Sequence, residues 1–577
     1  MNRRDFARLV AAAAAMGAAP HARAADDHYG LGRFGNARLL HLTDTHAQLL
    51  PMHYREPSIN IGIGTMWGQP PHLVGQAFLK YFDMPRSSRD AHAFTFLDFM
   101  AGARGFGRMG GFAHLKTLID RLRAEAPGGR ALVLDGGDLW QGTALADATR
   151  GAAMVEAANR LGIDAMTGHW EFTYGEATLR QNLARFAGEF LAQNVFLTEE
   201  AAFNDAPAFD PASGRVFKPA LVKQVGDHRI GIIGQAFPYV PVAHPKSFVP
   251  DWTFGIREAE LQTLVDRLRT TERADAVLLL SHNGMDVDLK LAGRVTGIDV
   301  ILGGHTHDAV PRPTVVGNRS GKTVVTNAGS NGKFLGVLDL DLNKGAVRDL
   351  RYRLLPVYAD LLAPDRDMAA FIERVRAPYA AGFAEQLATA DDILYRRDNF
   401  SGTMDRLIGA ALRQAADAPI AFSPGLRWGT TVPAGEPVTL EDVLAHTAMS
   451  YPQSYVQDMT GSAIKAAMED VCDNLFNADP YYQQGGDMVR VAGLGYACAP
   501  GETAGRRITD LRLSDGTPLE ADKRYRVAGW ASVNETAGRP VGDIVADYLR
   551  SQKTVRSGNP DKVKLIGVDG NPGIAPG

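Results

Sequence analysis

The sequence has little cysteine, no concentrated basic segment and almost no long apolar run, and each absence excludes a class of protein. Its 577 residues include only two cysteines, Cys472 and Cys498. Two are too few for a zinc–thiolate cage or a disulfide framework, so they form either a single disulfide or two buried thiols. The formal net charge is −4, so we expect no nucleic-acid partner. With 45% hydrophobic and 22% charged residues, the chain is neither disordered nor a coiled coil, and it is long enough for several domains.

An apolar run near the N-terminus has the features of an export signal. Arg3 and Arg4 precede Phe6, residues 9–19 are apolar, and a small-x-small pattern ends at Ala24. The run is too short to anchor the chain in a bilayer. The paired arginines resemble a twin-arginine signal, which exports folded proteins; an ordinary secretory signal is the alternative. We therefore predict a signal peptide over residues 1–24 and a periplasmic mature chain that acts as a monomer without a membrane partner.

Short apolar runs that alternate with helical patterns predict an α/β catalytic domain over residues 25–360. This alternation is typical of parallel strands, whose following loops meet at one edge of a sheet. A helix is predicted over 365–383, within a linker over 361–388, and residues 389–577 form a second α/β or α+β domain. The segment 50–107 is unusually long for a strand-to-helix connection, which favours a functional role. The predicted strands are 38–44, 131–135, 163–167, 230–234, 275–281 and 298–303.

Five strand ends carry side chains of the types that bind metal ions. Each block alone is weak evidence, because a single histidine after a strand is more often a hydrogen-bonded surface or core residue. Together, on what the pattern predicts to be one sheet, they indicate a metal centre. Two carboxylates and five imidazoles without a thiolate suit Mn²⁺, Fe²⁺ or Zn²⁺, and Asp138 is the natural bridge between two ions. Such a centre favours an anionic substrate and a bound hydroxide at neutral pH. The blocks are Asp44-Thr-His46, Gly137-Asp138, Gly168-His169-Trp170-Glu171, Ser281-His282-Asn-Gly and Gly303-Gly-His305-Thr-His307.

In this order, the five blocks resemble those of the calcineurin-like metallophosphoesterases, and the C-terminal domain narrows the likeness to the 5′-nucleotidase group. The resemblance implies an N-terminal β-sandwich flanked by helices (αββα) and a C-terminal, substrate-binding, 5′-nucleotidase-like α/β domain. It also implies the ligand sets. Metal one is assigned to Asp44, His46, Asp138 and His307, and metal two to His169, His282 and His305 with the shared Asp138.

The third block departs from that family at Trp170. The family normally reads Gly-Asn-His-Glu there, with the histidine acting as an acid beside the scissile bond, whereas this chain reads Gly168-His169-Trp170-Glu171. A departing alkoxide gains typically ~10²-fold or more from such an acid. When the leaving group is a thiolate or a persulfide, its conjugate acid has a low pKa, so it needs little protonation by a general acid. The substitution therefore favours a sulfur leaving group.

The C-terminal domain departs in its base-binding residues. The aromatic rings that sandwich a base in related nucleotidases are replaced by Pro452-Gln-Ser and by Gly485-Gly-Asp487. An anion-binding arginine does have a counterpart in Arg427, and a second in Arg396 or Arg397, although these could equally form salt bridges. Four tyrosines could replace the rings or simply belong to the walls. They are Tyr451, Tyr455, Tyr481 and Tyr482.

Two further stretches resemble the SoxB family of periplasmic thiosulfohydrolases. They are LTDTHAQLLPMHYREPSINIG at 42–62 and GGDMVR at 485–490. The resemblance implies two Mn²⁺ ions, with Zn²⁺ as another candidate, and catalytic roles for Trp170, Arg427 and Asp487. It implies that metal-bound hydroxide releases sulfate from a cysteine S-thiosulfonate during thiosulfate oxidation. The cysteine belongs to the flexible C-terminal arm of a carrier protein, SoxY, with its partner SoxZ. The alternatives are a periplasmic 5′-nucleotidase or nucleotide-sugar hydrolase, and a metal-bound binding protein without chemistry.

Overall fold

A computed structural model describes residues 28–534, 537–558 and 563–575. The predicted signal peptide, residues 1–24, lies outside them. Within the described residues, no helix is long and apolar enough to cross a membrane.

Two six-stranded sheets pack face to face in the N-terminal domain, and helices cover their outer faces. Neighbouring side chains in a strand point to opposite faces. Accordingly, Leu132 and Leu134 lie in the core between the sheets, while Val133 packs beneath the helices. The second sheet alternates in the same way at Leu278 and Leu279. Since both faces of each sheet are buried, the domain is the expected αββα sandwich.

The six predicted strands all form, but they divide between the two sheets rather than sharing one. The expectation of a single sheet was wrong because a buried apolar run does not encode which strand it pairs with. The first sheet has the order Ala346–Pro356, Phe334–Asn343, Ala37–Leu42, Ala131–Asp135, Ala165–Met166 and Glu189–Phe190, the last four parallel. The second has the order Thr314–Asn318, Gly321–Asn327, Val300–Gly303, Ala276–Ser281, His228–Gln235 and Ala220–Val225, the middle four parallel. A separate pair joins Phe196–Leu197 to Trp252–Thr253.

Helices follow most of these strands, as the alternating pattern predicts. Two of them, Phe112–Ala124 and Glu258–Thr270, are 13 residues long each. The other α-helices of this domain are Gln76–Phe82, Arg89–Phe94, Phe99–Phe106, Ala144–Thr149, Ala152–Leu161, Glu176–Arg185, Glu199–Phe203, Val240–Ala243 and Met285–Arg294. Short 3-10 helices are Gly64–Met66, Pro127–Gly129, Trp170–Tyr174 and Lys246–Phe248.

The linker contains two helices where one was expected. Arg366–Arg376 begins after Asp365, whose side chain accepts a hydrogen bond from the Met368 amide. The helix ends before Pro378, which has no amide hydrogen to continue the ladder. Ala380–Phe383 then forms a short second helix, and the first C-terminal strand begins at Gln386.

The C-terminal domain is a mixed α/β unit with three small sheets. Its helices are Thr403–Ala416, Leu440–His446, Gly461–Phe476 and Val541–Arg550, with a 3-10 turn at Pro480–Tyr482. Cys472 and Cys498 are buried free thiols whose sulfurs lie 3.8 Å apart. The strands, in spatial order, are Pro437–Thr439, Gln386–Ala390 and Thr554–Val555; Ser454–Thr460, Arg524–Trp530, Ile420–Gly425 and Asp487–Ala492; and Ile508–Leu513, Leu494–Cys498 and Val563–Leu565.

The long segment 50–107 holds the two domains together. The Thr431 amide donates to the His53 carbonyl at 2.8 Å, and the Ile61 amide donates to Asn399 Oδ1 at 2.8 Å. On the other side, Glu56 forms a buried ion pair with Lys333 of the catalytic domain. The segment therefore fixes the C-terminal domain over the carboxyl ends of the strands, where the metal-type side chains emerge.

Candidate metal centre

The seven side chains predicted to bind metal converge from both sheets into one buried cluster. Each is at most 7% exposed. They form two overlapping groups of four, and the ligand atoms within each group all lie within 4.8 Å of one another. The groups are Asp44, His46, Asp138 and His307, and Asp138, His169, His282 and His305.

Asp138 joins the two groups through one carboxylate oxygen. Its Oδ2 lies 3.1 Å from His282 Nε2, 3.3 Å from His169 Nδ1 and 3.7 Å from His46 Nε2. An oxygen in reach of both groups is the geometry that a bridging ligand needs. The arrangement therefore fits a dinuclear centre with the division of ligands that the resemblance implies.

The backbone at this cluster adopts conformations that side chains other than glycine disfavour. Five of the seven residues have φ between 44° and 73°: Asp44, His46, Asp138, His305 and His307. Left-handed backbone at such residues costs on the order of 1–3 kcal/mol each, and it persists where the surroundings over-determine it. The fold therefore holds these side chains at positions that unstrained turns would not reach.

Two hydrogen-bonding partners fix the orientation of the ligands. His282 Nδ1 donates to the Gly136 carbonyl at 2.6 Å, which leaves Nε2 facing Asp138.

The second partner is the fully buried carboxylate of Glu171, which accepts four hydrogen bonds from backbone amides. The donors are the amides of Leu139 at 2.8 Å, His169 at 2.9 Å, and Asp138 and Trp140 at 3.2 Å. A single carboxylate thus ties the loop of the second block to that of the third, which is a supporting role for metal ligands.

The electrostatics of the cluster favour a bound cation. Burial favours a neutral imidazole, but Asp138 and Asp44 outweigh it and raise the pKa of His282 to about 10. By contrast, burial lowers the pKa of His46 to about 4. The Nε2 atoms of His46 and His307 face each other at 3.0 Å, where one proton or one cation can satisfy both. The donor set therefore fits divalent metal ions.

Trp170 lies in the wall of a cavity of about 180 Å³ beside the two groups. Its ring packs edge-to-face against Trp428, with centroids 5.0 Å apart, and against His244, with centroids 4.5 Å apart. His244 Nε2 contacts the His169 carbonyl at 3.3 Å, and His244 does not line the cavity. The position that holds the acid in the resembled family thus presents an apolar ring here.

Arg427 also lines the cavity, and Asp487 holds it in place. Arg427 Nη2 donates to the Gly486 carbonyl at 2.5 Å, and Nε lies 3.5 Å from Asp487 Oδ1. The buried Nη1 has no hydrogen-bond partner among the described residues. Burial opposes ionisation of Asp487, yet Arg397, Arg427 and Arg490 outweigh it and hold its pKa below the ordinary value. Asp487 does not line the cavity, and its carboxylate lies among these arginines.

The other candidate residues are engaged elsewhere. Arg396 is bound by Asp405 and by the His446 and Pro424 carbonyls, all at 2.7 Å, so it is structural. Tyr451 donates to the Ala243 carbonyl, and Tyr481 donates to Glu258. None of the four tyrosines named from the sequence lines the cavity.

Sequence reasoning missed three residues that contact the cluster. Trp428 stacks on His46 with centroids 4.9 Å apart, and Phe237 packs on His169 and His305 at 4.0 and 4.3 Å. The third, Gln484, places its carbonyl oxygen 3.2 Å from His305 Nε2. Phe237 follows a predicted strand, so its position in the sequence could have indicated that it lies near the cluster. Trp428 and Gln484 come from another domain, and no local pattern signals their contacts.

The fold and the site define a class of hydrolase, and comparison with known protein families agrees. Residues 37–309 match the calcineurin-like phosphoesterases, and residues 382–537 match the 5′-nucleotidase C-terminal domain. The chain belongs to the metallophosphoesterase superfamily, in its 5′-nucleotidase group.

Individual relatives fall into two functional kinds. A solved structure described as the sulfate thiohydrolase SoxB of Thermus thermophilus, in complex with glycerol, is 38% identical with a TM-score of 0.85, over 93% of this chain and 98% of that one. The 5′-nucleotidase of Bos taurus is 26% identical over 461 residues, 73% of this chain and 76% of that protein. The trifunctional nucleotide phosphoesterase YfkN of Bacillus subtilis (strain 168) is 27% identical over 453 residues, which are 72% of this chain but 30% of YfkN.

Proposed function

We propose that this hydrolase removes the terminal sulfonate, as sulfate, from a cysteine S-thiosulfonate on a carrier protein in the periplasm. The observation that carries the proposal is the apolar Trp170 ring at the position where the resembled phosphoesterases place an acid. The 38% identity to a structure described as a sulfate thiohydrolase supports the same reading. The carrier would be a SoxY-type protein with its SoxZ partner, and the ions Mn²⁺.

Among the described residues, the surroundings of Trp170 offer no replacement acid. His244 is the nearest additional imidazole, but burial lowers its pKa to about 3 and its Nε2 faces the His169 carbonyl. A neutral imidazole held in this way is a poor proton donor to a substrate. Ester hydrolysis at this site would expel an alkoxide unaided, whereas a persulfide departs readily because its conjugate acid has a low pKa.

The size of the cavity favours a narrow substrate. About 180 Å³ is less than the ~300–1,000 Å³ typical of pockets for drug-sized ligands. The walls include the apolar side chains of Phe237 and Leu426 together with Gly485 and Gly486. A thiosulfonate on an extended cysteine arm fits such a space better than a nucleoside that needs two stacking rings.

Charge on the sulfonate would be met by Arg427 and by the metal centre. Arg427 Nη1 is a buried donor that no other described residue satisfies, and Asp487 acts as a positioning residue that keeps the guanidinium in place. Two divalent cations, when bound, would supply Lewis acidity and lower the pKa of a coordinated water. Asp138 and the histidines would orient them, and the Trp170–Trp428 wall would exclude bulk water from the persulfide.

A pair of variants at Trp170 tests the leaving-group argument. Trp170→Phe keeps an apolar ring and is expected to retain sulfate release within a few fold. Trp170→His restores an acid, so phosphate release from 5′-AMP should rise at least ~10-fold over the Phe variant. Both activities are measured on the Mn²⁺-loaded mature protein. If the His variant hydrolyses AMP no faster than the Phe variant, the role assigned to this position is wrong.

The second candidate is a 5′-nucleotidase, which the named relatives from Bos taurus and Bacillus subtilis favour. It predicts efficient phosphate release by the unaltered chain. It also predicts a pair of aromatic rings for a base, and none of the tyrosines considered for that role lines the cavity.

A further inference from the structure

One residue of the second metal group is in direct contact with the C-terminal domain. His305 Nε2 lies 3.2 Å from the carbonyl oxygen of Gln484, which is 179 positions away in the sequence. A carbonyl can only accept, so Nε2 carries the proton of the neutral ring. The other nitrogen, Nδ1, is buried and has no hydrogen-bond partner in the part of the chain that the structure describes. It is therefore the atom left free to bind an ion.

This contact depends on the absence of a side chain at the next residue. A Cβ atom at Gly485 would lie 2.2 Å from His305 Nε2, closer than any real contact of that type. Gly485 also has φ +77°, which favours glycine. The backbone can approach the imidazole only because position 485 has no side chain.

The segment that carries Gln484 is attached to the catalytic domain on its N-terminal side. Tyr481 donates to Glu258 at 2.5 Å, and Lys290 pairs with Asp479 at 2.5 Å. On the C-terminal side, the Gly485 amide donates to the Asn474 carbonyl at 3.3 Å. The Gln484 carbonyl is therefore held at a defined place relative to His305.

We propose that Gln484 and Gly485 form a positioning element for the second metal ion, so that the C-terminal domain completes the metal centre of the catalytic domain. Outer partners of this kind fix the tautomer and the direction of a histidine ligand, and their loss typically weakens metal binding by about 10–100-fold. The affinity of one ion of the pair thus depends on the C-terminal domain. This inference concerns metal binding and holds for either candidate substrate.

Two glycines next to each other in the sequence provide a matched test. Gly485→Ala places a methyl group against His305. Gly486→Ala carries the same backbone strain, because φ at Gly486 is +78°, but its Cβ would meet only the Gly425 carbonyl, at 3.8 Å. Metal-free full-length protein is titrated with Mn²⁺ by calorimetry, and the bound ions are examined by electron paramagnetic resonance for spin coupling between them.

We expect Gly485→Ala to bind one Mn²⁺ with unchanged affinity and the second about 10–100-fold more weakly, with the signal of an isolated ion replacing that of a coupled pair. Gly486→Ala should bind two coupled ions. Unchanged binding of both ions by Gly485→Ala would overturn the proposal, as would an equal loss in Gly486→Ala.

A second variant tests the proposal if Gly485→Ala does not unfold cooperatively and is therefore misfolded. Tyr481→Phe removes the hydrogen bond to Glu258 that attaches this segment to the catalytic domain. The affinity of this variant for the second Mn²⁺ ion should fall at least ~3-fold, and an affinity equal to that of the wild type would overturn the proposal.

Discussion

At the residue scale, the metal centre depends on side chains outside the two groups of candidate ligands. Glu171 bonds four backbone amides that belong to the loops of Asp138 and His169. Both carboxylate oxygens are used, so the side chain acts as an acceptor on both sides. Its place in the third sequence block leaves the role open, because a glutamate two residues after a candidate ligand is equally compatible with a direct role and with a supporting hydrogen bond.

Glu171→Gln should therefore impair metal binding with little change in side-chain volume. The amide NH₂ of glutamine would face two backbone amides and could accept from neither, which displaces one of the two loops. We expect Mn²⁺ affinity and hydrolysis to fall about 10–100-fold, measured by calorimetric titration and steady-state assay. Glu200→Gln, at an exposed helix position, is the control. Wild-type affinity in Glu171→Gln would contradict the role described for this carboxylate.

Trp170 shows what a single departure from a pattern can reveal. The sequence identified the substitution, and the structure places the ring in the cavity wall. Its packing partners Trp428 and His244 lie far from it in the chain, so their contacts with it were not predictable. A residue's chemical type can be recognised from a motif, whereas its neighbours depend on the tertiary fold.

At the element scale, strands and their ends were the most predictable feature. All six predicted strands exist, because runs such as 276–280 are uniformly apolar and are buried on both faces. Their division into two sheets was not predictable from the runs themselves, since pairing depends on long-range contacts. The break in the linker helix could have been predicted from the sequence, because Pro378 has no amide hydrogen and interrupts a helix.

The short helix Ala144–Thr149 carries a half-buried acid, Asp147, whose raised pKa makes stability depend on pH. Burial raises the pKa of Asp147 from 3.8 to about 7, with Tyr174 donating to it at 3.1 Å. The folded chain therefore keeps this group protonated at pH values where the unfolded chain has ionised it. The stability contributed by the proton is complete below about pH 4 and is lost as the pH rises toward about 7.

Asp147→Asn should remove that dependence, because asparagine is neutral at every pH and still accepts from Tyr174. We expect the variant to melt at a higher temperature than the wild type at pH 8, and the difference to shrink near pH 4. Thermal unfolding of metal-free protein at both pH values measures this, with exposed Asp227→Asn as the control. A difference that is the same at both pH values would show that Asp147 is not protonated in the folded protein.

At the scale of the whole molecule, the two domains share the site. The catalytic domain supplies seven ligand-type side chains, and the C-terminal domain supplies Arg427, Trp428 and the Gln484 carbonyl. The segment 50–107 holds both domains in this arrangement through buried hydrogen bonds and the Glu56–Lys333 ion pair. The sequence predicted the ligands because they occupy strand ends. It did not predict the contributions of the second domain, which depend on how the domains are docked.

The domain arrangement also bears on the choice between the two candidate functions. The cavity lies between the domains, is lined by both, and is small. Under the proposed function, a carrier arm would insert a narrow group there, whereas the alternative function would require room for a nucleotide and rings to stack on its base. Specificity would then be a property of the docked pair of domains more than of the metal ligands, which all come from the catalytic domain.

The most direct measurement compares two products from one preparation of Mn²⁺-loaded mature protein. One assay follows sulfate released from a cysteine S-thiosulfonate on a carrier protein or on its C-terminal peptide, and the other follows phosphate released from 5′-AMP. We expect rapid sulfate release and little or no phosphate release. Efficient phosphate release with an inert thiosulfonate would contradict it and would identify the chain as a nucleotidase.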